Sequence, residues 1–523
     1  MRSFQDDICG SPAGRAGEGG AAGAGPVSRF FLRAAFVLAF LSIVFLSLNA
    51  FPHGGVEGLY PERPAYILSL LGIFCYAASL HWLPQVRNHS MLLALVGAFL
   101  LYGLAVTCVG LVRIDEPGLA PFVLFQYLKR KVIPVLYILW FAFMLSPLPE
   151  CKARRFFIGA LVVMFLPNAL HMALEMFANA GFSGMREYLV NINPWFRQEN
   201  TSHGMWPPPY FTDRVRGLFA EPSHLAYALT PLLAFFFYKL RSRAAYIPPV
   251  LFVGFAFAGT IPTLTGIIGF AFLLFVFLFD MICARLGTRR ALYASTCVLV
   301  AAVIALTATF WRKGDVAELA VELHTVETIA GYCRAAQDDS AAEPPHLSVP
   351  EFSRFFTRLA CLRIETDIAL RHPWGTGFYL SGLYWKPLLV WSSEPVELFI
   401  WVRDAFKNPV PVIPHLCEYT ALAAELGFPG LLLFLLICGF IAVRAGKRYA
   451  RDKDAFVLYM VWALCASLLT LLAFALKSGF MLYYFLGFLY AIGGVDYPAS
   501  AETGVVRRDD GNASARQEKN AHA

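Results

Sequence analysis

PHLCEYTALAAELGFPGLLLFLLICGFIAV, residues 414–443, is the stretch of sequence that decides the fold. Its last 18 residues, 426–443, include no charged residue and are long enough to cross the hydrocarbon core of a bilayer as one helix. Gly427-Phe428-Pro429-Gly430 interrupts it, which predicts a short segment at His415–Leu426 and a full membrane span after the interruption. The preceding residues, 311–414, lack a comparable run and predict a large loop outside the membrane.

Apolar runs of this kind recur along the whole chain. Of its 523 residues, 58% are hydrophobic and 15% are charged, a composition far from that of average soluble proteins. Runs of membrane length predict about 12 spans. Their approximate limits are 31–51, 65–83, 91–112, 132–148, 156–178, 223–240, 246–260, 263–283, 291–310, 416–443, 455–476 and 479–496. We therefore predict an all-α polytopic membrane protein with a large loop outside the membrane before the last three transmembrane helices.

Basic residues in the short loops predict the orientation of these spans. Clusters follow spans four, six, eight and ten, all on one face, and such clusters are typical of the cytoplasmic side. They are Lys152/Arg154/Arg155, Lys239/Arg241/Arg243, Arg285/Arg289/Arg290 and Arg444/Lys447/Arg448/Arg451/Lys453. Both termini are then cytoplasmic, and the loops 179–222 and 311–414 are outside. The formal charge of +7 follows this pattern, which disfavours nucleic-acid binding.

One loop does not fit this pattern. Residues 113–131 carry Arg113 and Lys129-Arg130-Lys131 on the predicted outer face. Either a span is miscounted, or the cluster binds an anionic headgroup or a diphosphate. The sequence leaves both interpretations open.

The predicted organisation has five parts. Residues 1–28 are rich in glycine and alanine and predict a disordered cytoplasmic N-terminus. Residues 29–310 hold spans one to nine, and the first is expected to be a retained span, not a cleaved signal peptide. Residues 311–414 form the periplasmic loop with an amphipathic helix, residues 415–496 the last three spans, and residues 497–523 a disordered cytoplasmic tail.

The cysteines do not point to a metal site. Cys333 and Cys361 lie in the outer loop, where they could form a disulfide or remain as two thiols. The sequence has no Cys/His spacing typical of metal binding, and we expect no metal and no cofactor.

The first block that could carry chemistry runs from Asp213 to Ala226 and leads directly into span six. It places Arg214, Arg216, Glu221 and His224 near the start of a helix. Pro222 and Ser223 suit the first positions of that helix, and a helix N-terminus attracts anions. The alternative is an interfacial charge cluster that anchors the span.

The second block runs from Phe355 to Gly377. Its apolar spacing predicts an amphipathic helix on the outer membrane surface, ended by His372-Pro373 and followed by a tight turn at Gly375 and Gly377. Arg358 and Arg363 could clamp phosphates. They could equally pair with the carboxylates at 365 and 367 or face solvent.

The third block is His415 with Glu418 and Glu425. The two carboxylates are seven residues apart, so they share one face of a helix. His415 lies close enough to Glu418 for a hydrogen bond that raises the basicity of the imidazole. The alternative is an ordinary interfacial histidine at the start of a span.

Together the three blocks resemble the O-antigen polymerase and O-antigen ligase superfamily of bacterial membrane glycosyltransferases. Residues 214–223 resemble the family's arginine–glycine motif and its proline turn into a helix. Arg358 and the following Pro373-Trp374-Gly375-Thr376-Gly377 resemble the second motif. His415 and Glu425-Leu426-Gly427-Phe428-Pro429-Gly430 resemble the third. The resemblance covers roughly residues 200–445.

The chain departs from the family at Leu416, where asparagine or serine usually follows the histidine, and this leaves the orientation of His415 open. The resemblance implies a sugar chain on undecaprenyl diphosphate, presented at the periplasmic face of the inner membrane. A hydroxyl of the acceptor attacks the anomeric carbon, and undecaprenyl diphosphate leaves.

The resemblance also implies a role for each site residue in a metal-independent transfer. His415, assisted by Glu418 or Glu425, would take the proton of the acceptor hydroxyl. Arginines would stabilise the diphosphate, and Glu221 and His224 would be further substrate contacts. The expected diphosphate-binding arginines are Arg214, Arg216, Arg358 and Arg363.

Polymerisation of repeat units is the expected activity, with ligation of the finished glycan to lipid A core as the alternative. Expected partners are the lipid-linked glycan, an acceptor glycan or lipid A core, membrane lipids and a chain-length regulator. A transporter of the same lipids should show polar groups at mid-membrane and internal repeats. Asn168, His171 and Glu175 share a face of span five and could line a cavity, but no repeat is evident. A scaffold protein would tolerate loss of the loop arginines.

Overall fold

Every regular element is helical in the part of the chain that the computed structural model describes. The described residues are 25–48, 64–114, 117–196, 215–219, 222–242, 246–247, 264–286, 351–385, 388, 417–472 and 481–494. The helices before residue 200 are α1 (Pro26–Val44), α2 (Pro64–Ser79), α3 (Leu83–Asn88), α4 (Ser90–Ile114), α5 (Ala120–Tyr127), α6 (Ile133–Leu145), α7 (Glu150–Asn179) and α8 (Ser183–Phe196). Those after it are α9 (Pro222–Ser242), α10 (Leu264–Leu286), α11 (Glu351–Arg371), α12 (Glu418–Asp452), α13 (Ala455–Thr470) and α14 (Met481–Ile492).

Five of these helical segments are long and apolar enough to cross a membrane: Pro26–Ser47, Ser90–Ile114, Glu150–Asn179, Gly266–Cys283 and Glu418–Asp452. Three shorter apolar helices accompany them, α2, α13 and α14. The predicted all-α class is therefore confirmed, and a multi-pass membrane protein is plausible. The count of about 12 spans and the large outer loop stay predictions. Predicted span nine lies outside the described residues, as does most of predicted span seven.

Close contacts between apolar helices hold the bundle together. The Tyr137 ring on α6 stacks on the Tyr484 ring on α14, with 5.0 Å between centroids. Gly487 lets the same two helices approach, since a Cβ there would lie 2.7 Å from the Ile138 carbonyl oxygen. Small residues serve membrane helices in this way because lipid offers no hydrophobic driving force between them.

Ion pairs join several helix ends at one end of the bundle, which we call the basic end. Arg154 at the start of α7 pairs with Asp454, which also caps α13 by accepting a hydrogen bond from the Phe456 N–H at 3.0 Å. On α9, Arg241 Nε lies 3.2 Å from Asp280 Oδ2 of α10. Arg448 near the end of α12 pairs with Glu150. The basic clusters after predicted spans four, six and ten thus meet at the same end, as expected; the side of the membrane stays a prediction.

The cluster Lys129-Arg130-Lys131 does not lie in a loop. It forms part of a π-helical turn, Leu128–Val132, that joins α5 directly to α6. The sequence placed the start of span four after these three charges because they end its apolar run. In the structure the helix continues through them, since Lys131 is paired with Glu418 and packs against the Phe378 ring. Single-turn π-helical insertions of this kind are frequently found at functional sites.

Candidate active site

The centre of the candidate site is a turn, Pro373–Tyr379, packed against a break in α12. Gly427 interrupts that helix with φ 70° and ψ 178°, so the two predicted pieces are confirmed. Three backbone hydrogen bonds join turn to break: Phe428 N–H to the Pro373 carbonyl at 2.9 Å, Thr376 N–H to the Ala424 carbonyl at 3.1 Å, and Gly377 N–H to the Glu425 carbonyl at 2.9 Å. The second and third sequence blocks are thus in direct contact.

Glycines make this contact possible. Gly375 and Gly377 have φ of 94° and 105°, the left-handed region that glycine enters without steric cost, as the sequence predicted for this turn. A Cβ on Gly375 would lie 2.7 Å from the Glu425 carbonyl oxygen, and one on Gly427 would lie 2.5 Å from the Pro373 carbonyl oxygen. The two backbones therefore approach closer than any side chain would allow.

Helix α4 holds the other side of the turn. Thr107 Oγ1 accepts a hydrogen bond from the Phe378 N–H at 3.0 Å, and the Tyr102 hydroxyl donates to the Trp374 carbonyl at 3.0 Å. Helix α4 belongs to the predicted third span, and its Gly110 lets the turn approach, since a Cβ there would lie 2.3 Å from the Thr376 carbonyl oxygen. The turn is held from α4 and from α12 together.

Each of the two carboxylates of the third block has its own buried partner. Glu418, at the start of α12, lies 3.2 Å from the Lys131 ammonium across 287 residues of sequence, and its carboxylate is 3% exposed. Glu425 accepts a hydrogen bond from the Tyr379 N–H at 3.2 Å. Glu418 therefore fixes the π-helical turn against α12, while Glu425 holds the second-block turn. Assistance to His415 stays a prediction, since His415 lies outside the described residues.

A third buried carboxylate, Glu365, comes from the amphipathic helix. The predicted helix is confirmed as α11, and it ends at Arg371, before His372-Pro373 as expected. The Thr420 hydroxyl of α12 donates to Glu365, whereas Arg363 lies on the exposed face of α11. The membrane-surface location of α11 stays a prediction. Cys361 is buried on this helix, and Cys333 lies outside the described residues, so their pairing stays open.

The surface of the turn is cationic. Arg113 at the end of α4 and Arg371 at the end of α11 are both exposed. Burial, together with these two positive charges, lowers the pKa of His372. The Trp374 side chain is 71% exposed beside them. A surface of arginines and an exposed indole suits the interface between a bilayer and water, where anionic lipid groups are found.

The first block is held by the polar face of α7. Glu175 Oε2 accepts hydrogen bonds from the Arg216 and Gly217 N–H groups, each at 2.9 Å. Asn168 Oδ1 accepts from the Leu218 N–H at 2.9 Å. The sequence suggests that these α7 residues line a cavity; in the structure Glu175 and Asn168 bind the backbone of the arginine–glycine turn. The shared polar face of α7 was visible in the sequence, but the turn that it contacts was not predictable from spacing.

Arg216 is buried with this turn. Its Nε lies 3.8 Å from Glu175 Oε1, and His171 Nδ1 lies 3.5 Å from the same oxygen. Gly217 has φ 59°, which favours glycine, and α9 begins at Pro222 as the proline predicted. His224, in the first turn of α9, is half-buried.

Replacing Glu175 by alanine is expected to destabilise the protein by about 2–6 kcal/mol, because two buried N–H donors each lose their acceptor at roughly 1–3 kcal/mol. Glu175→Gln keeps a carbonyl acceptor and should retain part of this stability. Thermal unfolding of the purified protein in detergent measures the difference, with the exposed Glu187→Ala as the control. Equal melting temperatures for Glu175→Ala and Glu187→Ala would contradict the role of Glu175.

The remaining predicted site residues fall at the limits of the described structure. Arg214, Glu221 and His415 lie outside it, and Arg358 lies on α11 with its side chain outside it. Within the described ranges, no three His, Cys, Asp or Glu side chains form a group that could hold a metal ion. Nothing in the sequence pointed to the contacts of Tyr379 with Glu425 and Arg130, and the role of Lys131 was open.

The arrangement is suited to binding an anionic group and to keeping carboxylates close to it in fixed positions. The first block contacts α7, and the second block contacts α4 and α12, which carries Glu418 and Glu425 of the third block. These contacts lie at the end of the bundle opposite the basic end, and we call it the distal end. In comparisons with known proteins, no family model and no curated protein matches this chain.

Proposed function

We propose that the chain is a membrane glycosyltransferase that polymerises undecaprenyl-diphosphate-linked oligosaccharide repeat units into a surface polysaccharide. The reaction takes place at the distal end, on the periplasmic side of the bacterial inner membrane, with both termini in the cytoplasm. One observation carries the proposal: the Pro373–Tyr379 turn joins the helix that carries Arg358 to the segment that follows His415, through the three backbone hydrogen bonds at the α12 break.

The chemistry needs cations for a leaving diphosphate and a base for an acceptor hydroxyl. Arg214, Arg216, Arg358 and Arg363 supply the cations, so that the transfer needs no metal ion. His415 takes the proton of the acceptor hydroxyl, a contribution of about a hundred- to ten-thousandfold. Glu221 and His224 are further substrate contacts.

The carboxylates Glu418 and Glu425 have positioning roles in this proposal, beside their predicted assistance to the base. Glu418 fixes the first turn of α12, three residues after His415, by its pair with Lys131. Glu425 fixes the turn that follows α11. The base and the diphosphate-binding arginines lie on separate elements, so contacts of this kind are needed to keep both within reach of one substrate.

The proposal is tested by glycan profiles of a strain that lacks the gene, complemented with wild type, His415→Ala, Arg358→Ala or the control Arg87→Ala. Arg87 is exposed at the end of α3. We expect wild type and Arg87→Ala to restore long chains. His415→Ala should reduce polymer by a hundredfold or more at equal expression, and Arg358→Ala should reduce it as well.

The deletion strain itself separates the two enzyme activities. Single repeat units on lipid A core indicate a polymerase, whereas long chains retained on undecaprenyl diphosphate indicate a ligase that uses the same site. An unchanged glycan profile in the deletion strain, or full polymer from His415→Ala, would contradict the proposal.

A further inference from the structure

Arg130 lies in the π-helical turn and has no role in the reaction proposed above. Its guanidinium carbon lies over the Tyr379 ring, 5.1 Å from the centroid, which is the distance of a cation–π contact. Within the described part of the chain the guanidinium donates no hydrogen bond and pairs with no carboxylate. Its neighbour Lys131, by contrast, is bound to Glu418. A guanidinium has five N–H donors in its plane, and stacking on a ring leaves that edge accessible.

Tyr379 is itself in an unusual conformation. Its φ of 68° lies in the left-handed region, which a bulky aromatic residue rarely enters. The backbone is held there by the hydrogen bond from the Tyr379 N–H to Glu425, and the ring meets Phe122 edge-on at 5.8 Å. Local strain of this kind is typical of residues that position a functional group. Here the group it positions is Arg130.

The helical stretch that leads to Arg130 carries exposed apolar side chains. Phe122, Phe125 and Leu128 on the same helical stretch are 44%, 56% and 48% exposed. In a membrane protein such side chains face lipid tails. A cation among them is expensive unless a phosphate neutralises it, and an arginine fork fits phosphate oxygens in a bidentate manner.

We propose that Arg130, braced by the Tyr379 ring, binds a phosphate group of a membrane lipid at the distal end. The ligand is either the diphosphate of the carrier lipid or the headgroup of an anionic phospholipid. The first case deepens the proposed function and rests on it, since Arg130 would then join the arginines that hold the leaving group. The second case is an independent lipid site.

Binding to the full-length protein in detergent tests this inference directly, by the rise in melting temperature or by native mass spectrometry. The probes are undecaprenyl diphosphate, phosphatidylglycerol and, as the uncharged comparison, undecaprenol. We expect Arg130→Gln to weaken phosphate-lipid binding roughly ten- to a hundredfold, the loss of a charge-assisted contact. Tyr379→Leu should weaken it roughly three- to tenfold by removing the ring, whereas Tyr379→Phe keeps the ring and the affinity. Arg87→Gln, at the end of α3, removes the same charge elsewhere and should bind as wild type.

The outcomes separate this inference from the proposed function. Arg130-dependent binding of undecaprenyl diphosphate supports the carrier, and Arg130-dependent binding of phosphatidylglycerol alone supports the phospholipid. Either result upholds the site even if glycosyl transfer is absent. Wild-type affinity of Arg130→Gln for both phosphate lipids, or equal loss in Arg87→Gln, would overturn it even if glycosyl transfer is present.

Discussion

Replacing Lys131 by methionine is expected to destabilise the folded protein by about 3–5 kcal/mol, because it leaves the Glu418 carboxylate buried without its counter-charge. Glu418 is 3% exposed, and its pair with Lys131 connects the π-helical turn to the first turn of α12. Thermal unfolding in detergent measures the loss. Polymer formation should fall as well, since the start of α12 follows His415 directly.

A double variant isolates the ion pair from the side chains themselves. Lys131→Met with Glu418→Leu removes both charges, and replacing a buried pair by apolar residues of similar volume is often neutral in stability. We expect most of the lost stability to return. Lys152→Met, an exposed lysine at the basic end, should change stability by no more than about 0.5 kcal/mol. A single variant no worse than Lys152→Met, or a double variant no better than the single, would contradict this role of Lys131.

Gly427→Ala is the second large effect we expect, about 2–6 kcal/mol of destabilisation together with loss of the site. A Cβ there would lie 2.4 Å from the Trp374 carbonyl carbon and 2.5 Å from the Pro373 carbonyl oxygen, both backbone atoms that cannot move aside. The left-handed φ of 70° adds strain of roughly 1–3 kcal/mol, and overpacking roughly 1–3 kcal/mol more.

Gly439→Ala, on the same helix, is the matched control. A Cβ at Gly439 meets no atom within 4 Å, so alanine should be neutral or should stabilise the helix by up to about 1 kcal/mol. The two glycines differ in their contact with the turn and in φ, which is positive at Gly427 and helical at Gly439. Similar melting temperatures for Gly427→Ala and Gly439→Ala would mean that the turn and the break are not in contact.

Features that depend on local sequence were predicted well. Within the described residues, helices lie where apolar runs predict them, Pro222 and Pro373 mark where α9 starts and α11 has ended, and glycine spacing predicts both the turn and the break in α12. The basic clusters were assigned to one end by their alternation between spans, and contacts such as that of Arg154 with Asp454 place them together.

Features that depend on long-range pairing were not predictable. Three consecutive charges end an apolar run, which predicts a loop at Lys129-Arg130-Lys131. In the structure, the distant contacts of Lys131 with Glu418 and with the Phe378 ring favour a helix through them. Glu175 was visible as a polar residue within a span, but its hydrogen bonds to Arg216 and Gly217 cross 41 and 42 residues of sequence. The role of Tyr379 was not predictable, because a left-handed conformation at a tyrosine has no signature in the sequence.

The measurement that tests the central claim most directly uses the purified protein in lipid vesicles with a single undecaprenyl-diphosphate-linked oligosaccharide as the only substrate. We predict glycans of two and more repeat units, with release of undecaprenyl diphosphate in matching amounts and without added metal. His415→Ala should show neither product. Substrate that stays at one repeat unit with wild-type protein, or that crosses the vesicle membrane without a new glycosidic bond, would contradict a polymerase at the distal end.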